Sequence, residues 1–84
     1  DRATSLCGRD AVQIIPAHAR ELDLEKLASI LGEHGEFLIK GPVLKGKLRD
    51  EGLHITLFRN ARALIGGTED ENRARAIYDR YITK

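Results

Sequence analysis

Few residues of this 84-residue chain are of a type that does covalent chemistry, and the first is Cys7. A cysteine reacts through its thiolate, and the neighbouring Arg9 favours that form. No second cysteine or nearby histidine completes a nucleophile set, so the competing reading of Cys7 is a small buried apolar side chain beside a strand. The sequence thus predicts no catalytic residue, with sulfur relay through Cys7 as the single exception held open. One cysteine also excludes an internal disulfide and a Cys-rich zinc site, and it fits a reducing, cytoplasmic setting.

The run Gly41-Pro42-Val43-Leu44-Lys45-Gly46-Lys47-Leu48 follows a phosphate-binding loop pattern up to its last position. There Leu48 replaces the hydroxyl that would hold magnesium, and a strand pattern follows where the loop needs a helix. The expectation is a strand with lysines on its outer face. Gly66-Gly67-Thr68 precedes a helix and resembles an anion cradle, but Glu69, Asp70 and Glu71 would repel a phosphate, so a capping role is expected. His18, His34 and His54 lie on different elements without metal-ligand spacing. No metal or cofactor site is predicted.

These residues must be positioned by a small domain. A chain of this length buries only about 60% of its unfolded surface, so residues 1–84 are read as one economical domain. The apolar share is 42% with no Trp or Met, which leaves packing to aliphatic residues and four rings. Fourteen basic against thirteen acidic residues give a net charge of +1. Such a balance exerts no global pull on nucleic acid or anionic membrane. No apolar run approaches the ~20 residues of a membrane span. The start, Asp1-Arg2-Ala3-Thr4-Ser5, has no signal-peptide pattern and reads as the cut edge of a longer protein.

Ala11–Ile15 is a β-prone run stopped by Pro16. A helix follows, with Asp23 as N-cap, Leu22 and Leu27 as a hydrophobic staple, and a stripe of Leu24, Leu27, Ala28 and Leu31. Gly35 is the expected terminator, with Gly32 a softer point inside. The period then switches toward two over residues 36–40, 43–49, 53–58 and 61–65, which predicts four strands in a meander. Gly41-Pro42 and Asp50-Glu51-Gly52 make the first two turns. Arg59-Asn60 makes the third, strained or longer than two residues because Ala61 stands where a glycine is expected. Thr68-Glu69-Asp70-Glu71 predicts a capping box opening a last helix, which buries Ala74, Ile77, Tyr78 and Tyr81, with Arg80 and Lys84 near its negative end.

The resulting fold class is α+β, in the order β-α-β-β-β-β-α: an antiparallel sheet with two helices on one face and the other face open, an architecture similar to half of the TATA-binding-protein saddle. With Leu44, Leu48, Leu53, Ile55 and Leu57 inward, alternation places Lys45, Lys47, His54, Thr56 and Arg62 on the open face. Lys45, Lys47, His54 and Arg62 are therefore the predicted partner-binding residues. The same face defines a competing reading as a small nucleic-acid module, although Phe58 is the only aromatic there suited to stacking, which disfavours nucleic acid as the partner.

Leu6-Cys7-Gly8-Arg9-Asp10-Ala11-Val12-Gln13-Ile14 resembles the segment that follows the adenylyltransferase domain in ThiF/MoeB/HesA proteins, relatives of ubiquitin-activating enzymes. Leu57-Phe58, Ala61-Arg62-Ala63-Leu64-Ile65-Gly66-Gly67-Thr68 and Ala76-Ile77-Tyr78-Asp79-Arg80-Tyr81-Ile82 are similar to that family's closing segments. One departure is Asn60-Ala61, where the family usually has Asp-Gly in the hairpin.

The resemblance implies a carboxy-terminal accessory domain of an adenylyltransferase that activates a ubiquitin-like sulfur carrier for thiamine or molybdopterin synthesis. It implies that ATP and Mg are bound by the parent's upstream domain, because no Gly-x-Gly-x-x-Gly unit occurs here. The expected fragment is non-catalytic and docks the carrier or the parent's catalytic domain.

Overall fold

The computed structural model describes residues 2–5 as backbone, and residues 10–17, 21–49 and 51–82 in full. Cys7, His18, Asp50 and Lys84 lie outside the described residues, as do residues 6–9 of the Cys7 segment. The elements are β1 (Arg2–Ser5), β2 (Ala11–Ile15), α1 (Leu24–Leu31), β3 (Gly35–Lys40), β4 (Val43–Leu48), β5 (His54–Phe58), β6 (Ala63–Gly66) and α2 (Glu71–Tyr81). The expected order runs from β2 to α2, an α+β arrangement with an antiparallel sheet. A strand precedes it: β1 pairs antiparallel with β2, so the opening residues are part of the sheet.

The strand order is β1-β2-β6-β5-β4-β3. The chain leaves β2, crosses by α1 to the far edge, and returns through the meander β3 to β6 until β6 closes on β2. Alternation then sends Val12, Ile14, Leu44, Leu48, Ile55, Leu57, Ala63 and Ile65 to one face, where all are buried. Leu24, Leu27 and Leu31 of α1 and Ala74, Ile77 and Tyr78 of α2 join the same core. α1 lies over β3 and β4, and α2 over β1 and β2. Each large aliphatic side chain so enclosed contributes about 1.5–3 kcal/mol.

Asp23 caps α1 as expected, its carboxylate accepting from the Lys26 N–H at 3.2 Å. The helix stops at Leu31 with Gly32 as C-cap, earlier than Gly35. Gly35 opens β3 instead, in a position where a Cβ would run into the Lys47 carbonyl. The capping box is also corrected. Asp70, not Thr68, is the N-cap of α2; its Oδ1 accepts from Asn72 N–H at 2.9 Å and Arg73 N–H at 3.2 Å. The Thr68 hydroxyl is buried and accepts from the Asp70 N–H at 3.0 Å, so it orients the cap rather than acting as one.

The β5–β6 turn is longer than two residues. Ala61 N–H donates to the Phe58 carbonyl at 3.0 Å, and Phe58 N–H to the Arg62 carbonyl at 2.8 Å. Positive φ falls on Ala61, at 77°, and Asn60 uses its side chain to accept from the Arg62 N–H at 3.0 Å. This is a three-residue hairpin loop whose last residue is left-handed, a site that favours glycine. Tertiary bonds hold Ala61 there. Its carbonyl accepts from the buried Tyr78 hydroxyl at 2.7 Å, and the Arg59 carbonyl, at the start of the same loop, accepts from the Leu22 N–H at 2.8 Å. The turn is thus tied both to α2 and to the entry of α1.

Candidate functional site

The face without helices is built in cross-strand rows. Lys45 lies opposite Leu38 on one side and Thr56 on the other, and Thr56 opposite Leu64, which meets Gln13. In the next row Lys47 lies between Glu36 and His54. Lys45, Lys47 and His54 are all exposed, as the alternation requires once Leu44, Leu48, Ile55 and Leu57 are buried. They form one cluster. Glu36, Leu38, Lys45, Lys47, His54 and Thr56 line a depression of about 420 Å³.

Arg62 stands apart from that cluster. It follows the β5–β6 turn, with its guanidinium 5.9 Å from the centroid of the Phe58 ring. Phe58 is opposite Val43, two positions along β4 from Lys45, so Arg62 marks the turn end of the face and Lys47 with His54 the other end. A guanidinium over an aromatic ring is held by the ring's electron-rich face. This contact engages the face's one strand aromatic with a cation. The only other phenylalanine, Phe37, pairs with Gly46 and packs toward the core.

Three participants were not singled out from sequence. Glu36 faces Lys47 and tempers the positive charge; Leu38 puts 53% of its surface into solvent; and Arg49 extends the basic row, its guanidinium donating to the Glu33 carbonyl at 3.2 Å. The alternation Glu36-Leu38-Lys40 was a usable signal for the first two. The phosphate-loop run is a β-turn and a strand: Gly41 has φ 57° and Val43–Leu48 is β4. His34 meets the Tyr81 ring of α2 in a T-shaped contact, centroids 5.1 Å apart, whereas His54 lies opposite Lys47 on the open face. Among the described residues no three His, Cys, Asp or Glu side chains converge to hold a metal, and no helix is long and apolar enough to cross a membrane.

Comparison with known proteins gives the sequence context of this face. Over 81 residues, 96% of its length, the chain is 42% identical to the sulfur carrier protein ThiS adenylyltransferase of Bacillus subtilis (strain 168). The similarity is to the C-terminal region of that enzyme. The chain spans about a quarter (24%) of the length of that relative. No family model matches the chain. No solved structure matches it either.

Proposed function

We propose that the chain serves as a carboxy-terminal accessory domain of a ThiF-type adenylyltransferase, docking a ubiquitin-like sulfur carrier or the parent's catalytic domain through its open sheet face. The single observation that carries the reading is the 42% identity sustained over 96% of the chain with a ThiS adenylyltransferase. In this reading ATP and Mg belong to the parent's nucleotide-binding domain, and the chain supplies position rather than chemistry. Lys45, Lys47 and His54 provide the charged part of the docking surface, with Arg62 at its margin.

The energetics suit a transient contact. Exposed lysines act mainly by steering encounter and fixing register, at little cost to the fold. Titration of the chain with a ThiS-type carrier, and separately with the parent's catalytic domain, at two salt concentrations tests the reading. Saturable binding to either, weakened several-fold by Lys45→Glu with Lys47→Glu, is expected. Salt-steep oligonucleotide binding tighter than binding to either protein would instead support the nucleic-acid module.

A further inference from the structure

The two edges of the sheet are not equivalent. Among the described residues no strand lies beyond β3, so one side of its six-residue backbone offers unpaired N–H and C=O groups. Edges of this kind are normally blunted by a central lysine, a proline or a bulge. β3 pairs with β4 in continuous register from Gly35↔Leu48 to Lys40↔Val43, and its centre is Phe37-Leu38-Ile39. Leu38 is 53% and Ile39 37% exposed, on opposite faces of the sheet. Ile30, on the α1 helix that packs over β3, is also exposed, so among the described residues three of the four large exposed aliphatic side chains lie on β3 or the helix over it.

The strand is also complementary to itself. If two copies of β3 run antiparallel about a two-fold axis through Leu38, Leu38 faces Leu38 of the second copy and Phe37 faces Ile39. Glu36 then faces Lys40, and by symmetry Lys40 faces Glu36. Both ends of the ladder carry opposite charges and its middle is apolar. Like charges would meet at neither end. Among the described residues neither Glu36 nor Lys40 is held in an ion pair within the chain. The register also satisfies the backbone, because in an antiparallel pair centred on one residue every residue meets one of the same outward or inward phase. A two-fold contact requires such self-complementarity.

We propose that β3 is a homotypic interface: two copies of this chain join edge to edge, antiparallel and centred on Leu38, into one continuous sheet. The pairing leaves the lysine-bearing face of each copy open, and it does not depend on the docking role proposed above. Leu38 and the Phe37–Ile39 pairs supply the apolar contact, and the Glu36–Lys40 pairs select the register.

Sedimentation equilibrium of the chain over a wide concentration range tests this. The wild-type chain is expected to dimerise. Glu36→Lys alone and Lys40→Glu alone each place like charges opposite one another twice, and each should raise the dissociation constant about ten-fold or more. The double variant restores both pairs and should return the constant to within about three-fold of wild type, since the pair energies are re-formed. Circular dichroism confirms that each variant folds; both positions are exposed, so folding should be retained. A chain that stays monomeric at every concentration overturns the proposal and leaves the edge to an extended segment of another protein. A dimer indifferent to both single reversals also overturns it.

Discussion

One sheet carries two faces made from the same strands, and they differ in what they tolerate. On the helix side Leu44, Leu57, Ala63 and Ile65 are fully buried against α1 and α2, so each side chain is specified by volume. On the other side Lys45, Lys47 and His54 stand in solvent, and among the described residues no ion pair or side-chain hydrogen bond fixes them. A substitution on the first face is therefore a question about folding, and one on the second a question about partners. β4 carries both answers in alternate residues.

The sharpest way to break this contrast is Leu57→Ala. Removing a wholly buried side chain from a central strand loses its transfer energy and leaves a cavity, and should cost about 2–5 kcal/mol. In a domain this small each kcal/mol is worth roughly 4–8 °C in Tm, so a thermal melt should register the variant as largely unfolded or displaced by at least ten degrees or so. A smaller loss would mean that the helices can collapse onto the sheet.

Tyr78→Phe is the next in size. It keeps the ring in the core but leaves the Ala61 carbonyl without its hydroxyl donor, at a cost of about 1–3 kcal/mol. Because Ala61 is held at a φ of 77°, the effect should concentrate in the β5–β6 turn, seen as faster amide exchange at Ala61 and Arg62 than in the rest of the sheet. Uniform acceleration across all strands would show that the bond supports the fold at large rather than the turn.

The smallest effect is expected for Lys45→Ala with Lys47→Ala on the open face. Stability should stay within about 0.5 kcal/mol of wild type by denaturant titration, as for exposed positions away from caps and networks. A loss comparable to that of Tyr78→Phe would erase the distinction between the faces.

Much of the covered face was legible in advance, because burial there follows from a period of two in strands and of 3.6 in helices. Leu24, Leu27 and Leu31 needed only their spacing, and so did Leu53, Ile55 and Leu57. The candidate site was legible to the extent that alternation puts Lys45, Lys47 and His54 opposite those residues. It could not show that Glu36 would stand across from Lys47, because that depends on the register between two strands. Nor could it separate Arg62, whose place follows from a three-residue turn and the Phe58 ring.

The sequence by itself determined the helix start at Asp23, the strand periodicity, the inward residues and the lysine-bearing face, all of which arise from neighbours along the chain. Only the tertiary structure decided that Arg2–Ser5 pairs with β2, that Gly35 is a strand residue crowded by the Lys47 carbonyl, that Asp70 displaces Thr68 as the cap, and that Ala61 rather than Asn60 takes the left-handed turn. Each of these depends on an atom distant in sequence or on the competition between two adequate local solutions. Short-range propensity leaves such choices nearly balanced, and a single long-range hydrogen bond or backbone contact tips them.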